Sequence, residues 1–550
     1  MYTPSDMKFR RKFSLNLYKN LKMPLGHMTF FKDWLFSERG DLHPITDKTG
    51  DGSLKENIHE GLFSVENMTD CIAGQARLLG QHFLYATYEL IINDMTQARA
   101  GFEFYAAPGD RSDYTEENAP KLRLFLSPCD GGVQIGHELV VGGVSRGTVL
   151  EEKILPYVPG MSFAVTCRGP KFDVYVRTEK ILHFEMSLKL SEFGFICRRA
   201  TFVNATASLW YEVQPGGRFA TDTVEYYLDC GVAQADIKYM RYEDGMPIIE
   251  KGKIFLTLSA RMEVEAYQAV ISWNTSTNEF KLEGAIFYDC GDDMWCGDIG
   301  ASILYHRPTK EWYIWAVAFS HGHILCHGTS TGDLRYGINV VDVQLMDVED
   351  TPNNRINPMT EEEIALLRLD EQPSWDVQLS DDRLWLAKKG DEDPDLMYDA
   401  QRGKWLMTIC RISGNDGYHY FLYESDQPFS GFTYVDHTTD GGLTGGSMVR
   451  IGGKLYLTCG ANFNARAQYN IYPLDNLQQT HHIRCDYDDG GFRGWGSIIP
   501  LPCGSRTRYM WMTFDRFLGS EYNWSYGNLY VFEADVMNKG YDYPLENRPL

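Results

Sequence analysis

An all-β chain is expected, an N-terminal jelly-roll β-sandwich followed by a five-bladed β-propeller. Three observations lead to it. Aromatic residues reach 13% of the 550 positions, and aromatic and β-branched runs favour strands. From Phe83 to Val213 short apolar runs alternate with Gly, Pro and Asp turns. Past Val224 one strand motif returns five times, at a spacing that suits a four-stranded blade and exceeds a solenoid repeat. A chain of this length exceeds what one core usually serves, and the boundaries fall at 1–220 for the sandwich with its N-terminal extension and 224–550 for the propeller.

In the first part the runs Phe83–Ile92, Gly101–Ala107, Lys121–Ser127, Met161–Cys167, Phe172–Arg177 and Phe193–Arg198 are read as antiparallel strands. The order of PGMSFAVTCRGPKFDVYVRTEKILHFEM and FGFICRRATFVNATASLWYEV resembles the concanavalin/laminin-G type of jelly roll over roughly residues 30–215. The five later copies begin GMPIIEKGKIFLTLS, GASILYHRPTKEWYIWAV, DPDLMYDAQRGKWLMTIC, GGSMVRIGGKLYLTCG and WGSIIPLPCGSRTRYMWMTF. The innermost strands should therefore start near residues 246, 301, 394, 446 and 496. Between the second and third copies, Thr360 followed by three glutamates and an apolar run has the form of a capped short helix.

The net charge of −23, from 52 basic and 75 acidic residues, argues against nucleic-acid and anionic-membrane partners. Lys8–Lys12 (KFRRK) is a short surface cluster. No apolar run has signal-peptide or transmembrane length. The 12 cysteines are scattered without a CxxC pair, which favours buried reduced thiols and a cytoplasmic location, and gives no reason to expect zinc.

In a propeller the lead-in residues of the innermost strands converge on one face, so a site there draws on each blade. The five entry triplets are Gly245-Met246-Pro247, Gly300-Ala301-Ser302, Asp393-Pro394-Asp395, Gly445-Gly446-Ser447 and Trp495-Gly496-Ser497; their small residues leave a pocket open, and the third brings carboxylates to it. EDPDLMYDAQRGKW is similar to the "(R/D)DP-x-(V/L)" strand of five-bladed glycosidases, which include the invertase/levanase and arabinanase/β-xylosidase families. CGDIGASILYHRPTKEW resembles their "SGSA" strand, and GGSMVRIGGKLYLTCG their "E-(C/G)-P" strand.

The resemblance implies a glycoside hydrolase, or a transferase of the same clan, acting on an oligosaccharide and perhaps on a furanoside. Such cleavage needs a proton donor, a base or nucleophile, and a third acid that tunes charge. Asp393 takes the place of the family's second, stabilising Asp. The first-blade Asp should fall at Gly245, with Asp244 one step before. The general-acid Glu should fall at Thr444 or Gly445, neither of which donates a proton usefully. Substitutes in the sequence are Asp298, Glu424, Asp436, Asp440 and Asp515, and Glu424 is preferred because Phe421, Leu422 and Tyr423 precede it.

Substrate contacts are expected from Asp395, Trp295, Trp495, Arg411, Asp515 and Arg516, and from His321 and His323, whose HxH spacing points both rings to one face. Trp315 is a further stacking candidate, whereas Trp312, Trp405 and Trp511 occupy a repeated core position. The Asp289–Asp298 run lacks the alternation of an EF-hand loop and is taken as a loop leading to the pocket. No cofactor is expected, although a structural calcium or other ion in the channel is compatible with the resemblance. The alternatives are a carbohydrate-binding protein whose carboxylates have decayed and a glycan lyase using a His or Tyr base. A carboxylate pair would favour hydrolysis and a His–Tyr–Arg cluster a lyase.

Overall fold

A computed structural model describes residues 1–17, 21–28, 30, 45–49, 54–109, 112–177, 182–231, 233–261, 266–321, 324–346, 391–412, 418–461, 469–486, 492–516 and 528–542. The protein is all-β. Helical structure among these residues is confined to one-turn segments such as Arg199–Phe202, and no helix is long and apolar enough to cross a membrane. The helix expected from Thr360 lies outside the described residues. The chain forms two compact units, Met23–Asp229 and Met1–Lys22 with Cys230–Leu550.

The Met23–Asp229 unit holds two sheets. One carries nine strands, with Ala205–Thr221 pairing both Asp94–Ala106 and Ala73–Gln81. The other carries six, with Met161–Arg168 between Thr87–Ile92 and Lys171–Arg177. Rings join the two sheets. Phe102 stacks on Phe163 at 6.3 Å, and Phe104 meets Phe172 at 5.4 Å and Tyr88 at 5.1 Å. All five are buried, so alternate residues of each strand supply a common core.

The second unit repeats one antiparallel meander. The first sheet runs Ala233–Tyr239, Lys253–Arg261, Ala266–Asn274, Phe280–Asp289, and the second Ile299–His306, Glu311–Ala318, Ile324–Ser330, Gly337–Leu345. The two join by a parallel pairing of Phe280–Asp289 with Gly337–Leu345. The third is Glu392–Asp399, Lys404–Ile412, Tyr418–Ser425, Thr433–His437, and the fourth Leu443–Ile451, Lys454–Ala461, Tyr469–Pro473, His481–His482. The fifth is Phe492–Cys503, Arg506–Arg516 and Asn528–Ala534, and its fourth strand is Lys8–Asn16 from the N-terminus. Residues 1–22, which chain order groups with the first part, thus belong here. The KFRRK stretch is that closing strand, with its charged side chains outward and Phe9 buried against Trp511.

The leading strand of each meander contacts that of the next, and the fifth contacts the first. Four of these strands start at Ile299, Glu392, Leu443 and Phe492, within a few residues of expectation. The first is displaced. It begins at Ala233, not near residue 246, because Gly245 (φ 89°) and the Lys251-Gly252 turn break GMPIIEKGK into short pieces before the second strand.

Candidate active site

All five leading strands carry the same irregularity. Pairing with the neighbouring strand slips between Ala235 and Lys238, Ile299 and Ser302, Glu392 and Asp395, Thr444 and Ser447, and Gly494 and Ser497. Two residues then oppose one, the geometry of a β-bulge. The first residue of each bulge has positive φ: Asp236 (55°), Gly300 (72°), Asp393 (49°), Gly445 (64°) and Trp495 (58°). Glycine adopts this region freely, whereas another residue there costs on the order of 1–3 kcal/mol. Two aspartates are held where glycine would be cheaper, which marks the ring of bulges as the place to look for function.

The five bulges touch one another. Gly445 N–H donates to Asp393 Oδ2 at 2.7 Å. A Cβ at Gly300 would lie 3.6 Å from Asp393 Oδ1, and one at Gly445 would meet Trp495 Cα at 2.3 Å. Trp495 Nε1 donates to Thr444 Oγ1 at 2.7 Å. Ser497 Oγ donates to Ile237 O at 2.6 Å, and Lys238 Nζ to Pro394 O at 3.1 Å.

Asp393 is the electrostatic centre. Burial, and next the charge of Asp236, push its carboxyl up to about 7, against the pull of Lys238 and of the Gly445 N–H. Tyr420 Oη donates to Asp393 Oδ2 at 3.3 Å and accepts from Gly446 N–H. Burial and then Asp393 hold the Tyr420 phenol well above its usual range. Asp236 accepts from Ser259 Oγ at 2.8 Å. The arrangement sets a carboxyl whose pKa is raised toward neutrality beside a second aspartate and a lysine.

Several expected site residues stand elsewhere. Asp244 accepts from Arg307 at 2.7 Å, beside Glu243, whose carbonyl receives Tyr398 N–H. Tyr398 is at the far end of the Asp393 strand, so Asp244 is not the first-blade acid. Glu424 pairs with Leu406, which pairs with Met397. Across the bulge that register sets it three residues, on the order of 10 Å, from the level of Asp393. The Tyr418–Tyr420 end of its strand meets the site instead, which removes Glu424 as proton donor.

Asp395 is locked in a buried network, accepting from Arg241, from Ser302 Oγ at 2.7 Å and from Met448 N–H at 2.5 Å, so it ties strands together and is not open to substrate. Arg411 is likewise buried in a two-pronged ion pair with Asp391.

Asp298 accepts from Ser320 N–H at 2.9 Å and Ser320 Oγ at 2.8 Å, and His321 Nε2 lies 2.9 Å from Asp292. Both are buried, and with Cys290 they form a group that can hold a metal ion. Trp295 is half-buried and stacks on Phe287 at 5.9 Å. Trp495 stands in the bulge ring, with 6% of its surface exposed. Trp312, Trp315, Trp405 and Trp511 are core residues. Asp440 accepts from Tyr472 Oη at 2.8 Å and Asp436 from Leu477 N–H at 2.9 Å. His323 and the side chains of Asp515 and Arg516 lie outside the described residues.

Asp236, Lys238 and Tyr420 are functional candidates that the sequence alone does not single out. For the first two the reason is that the glycine of the first copy, Gly245, lies outside its bulge, whose triplet Asp236-Ile237-Lys238 contains none. The available signal was the Asp-x-Lys against Asp-x-Asp of the third copy. Nothing in YHYFLYES singles out Tyr420.

No family model and no curated protein matches the chain. Among solved structures it is similar to a GH43 β-1,3-galactosidase with galactodeoxynojirimycin, at 14% identity over 56% of this chain and 98% of that one, with a TM-score of 0.34. It is also similar to the α-L-arabinofuranosidase of Podospora anserina in complex with cellotriose, at 11% identity, 55% and 98% coverage and a TM-score of 0.33. A third is a B. subtilis levansucrase mutant, at 10% identity, 56% and 87% coverage and a TM-score of 0.37.

Proposed function

We propose that the Cys230–Leu550 unit, closed by the N-terminal strand, is a five-bladed β-propeller, and that the Met23–Asp229 unit is a jelly-roll sandwich. We propose further that the chain is a glycoside hydrolase or clan-related transferase acting on an oligosaccharide at the ring of bulges. The observation that carries this reading is the electrostatically linked pair Asp236 and Asp393, each at positive φ in an equivalent bulge. Glycosidic cleavage requires two carboxyl groups in opposite protonation states. Asp393, raised to about 7, serves as the proton donor that Thr444 cannot be. Asp236 acts as base or nucleophile, with Lys238 balancing the added charge. The pairing also favours hydrolysis over a lyase, since the one arginine of the expected His–Tyr–Arg set, Arg411, is spent on Asp391.

The test is turnover of a panel of aryl pyranosides and furanosides by the full chain. Wild type should release the phenol from at least one, and Asp236→Asn and Asp393→Asn should each lower kcat/KM by at least ~10²-fold on it. Asp393→Asn should lose most on poor leaving groups. Binding of glycans with no turnover of any glycoside would favour the degenerate binding protein instead.

A further inference from the structure

A separate cluster sits in the second meander, where the Asp289–Asp298 loop meets the Phe319–His321 turn. Cys290 Sγ, an Asp298 carboxylate oxygen and a ring nitrogen of His321 all lie within 4.8 Å of one another, and all three residues are buried. Ser320 Oγ donates to Asp298 Oδ2 at 2.8 Å and lies 2.8 Å from His321 Nδ1. The carboxylate and Nδ1 therefore converge on one point. The other ring nitrogen, Nε2, faces Asp292 Oδ2 at 2.9 Å, the carboxylate–histidine relay that fixes the tautomer and orientation of metal-binding imidazoles.

We propose that Cys290, Asp298 and His321 form a binding site for a divalent transition cation of the zinc class, with Asp292 orienting the His321 ring. The donor set decides the class. Calcium and magnesium take oxygen ligands, whereas a thiolate with an imidazole and a carboxylate suits zinc. On binding, the Cys290 proton leaves to solvent. The thiolate and the Asp298 carboxylate then supply two negative charges against the ion's two positive ones. Three protein ligands leave the fourth tetrahedral position to the Ser320 hydroxyl or a water. The ligands are separated in sequence by a loop, two strands and a turn, so no CxxC-type spacing announces them. The site would pin the loop that precedes the Gly300 bulge.

The experiment is cobalt(II) loading of the chelator-treated full chain, followed by dialysis. One equivalent should be retained, with a thiolate-to-cobalt charge-transfer band in the near ultraviolet. Cys290→Ser should abolish the band, while Cys503→Ser, at an exposed thiol, should leave it intact. Asp292→Asn should keep the band and weaken cobalt affinity by ~10–100-fold. Retention well below one equivalent, a band that survives Cys290→Ser, or displacement of cobalt by calcium would overturn the proposal. If Cys290→Ser does not fold, Asp292→Asn decides, and an unchanged affinity there would count against the site.

Discussion

Asp393 keeps its proton because three of its surroundings favour the neutral form and two resist it. Burial dominates, Asp236 and Glu392 add like charge, and Lys238 and the Gly445 N–H oppose them. The shift has a stability consequence with a definite sign. Between 3.8, the ordinary value, and about 7, the folded one, the native state holds a proton that the unfolded chain has released. Stability therefore falls as pH rises through that window, and the penalty is fully present above about 7. Asp393→Asn preserves an acceptor for Gly445 N–H and removes the penalty. Denaturant melts should show the variant more stable than wild type at pH 8, with the gain shrinking as pH falls toward 4.

At the scale of the element, the bulge does the positioning. Within each leading strand it turns its own first residue out of the ladder, and the fit between neighbouring bulges is tight. Gly445 shows this best, with φ 64° and a Cβ that would strike Trp495 Cα at 2.3 Å. Gly445→Ala should cost ~2–5 kcal/mol from backbone strain and overpacking together. Gly300→Ala, where a Cβ finds its first neighbour at 3.6 Å, should cost only the strain, ~1–2 kcal/mol, and paired thermal melts would rank the two. Four bulge triplets were legible because glycine or the Asp-Pro pair punctuates them. The first was not, since Asp236 takes the strained conformation without a glycine to announce it. Glu424 misled for a related reason. Its apolar neighbours imply burial, but only the pairing with Leu406 reveals which end of the strand it occupies.

At the scale of the molecule, the fifth meander is completed by residues from the opposite end of the chain. Sequence order hides such a pairing, because nothing local in KFRRKFSLN says that its partner is NLYVFEA. The burial of Phe9 is what makes the closure strong. Its ring is 2% exposed and stands edge-on to Trp511 at 6.0 Å. Phe9→Ala should destabilise the Cys230–Leu550 unit by ~3–5 kcal/mol, read as a lowered midpoint in thermal unfolding. The closed cycle brings Asp236 of the first strand and Asp393 of the third to a common centre, the pair on which the proposed chemistry rests. The measurement that tests this most directly is azide rescue of Asp236→Ala on an activated aryl glycoside that wild type turns over. The expected result is a folded variant whose lost activity returns with added azide, with a glycosyl azide as product. A folded Asp236→Ala variant that hydrolyses the same substrate at the wild-type rate would contradict the account.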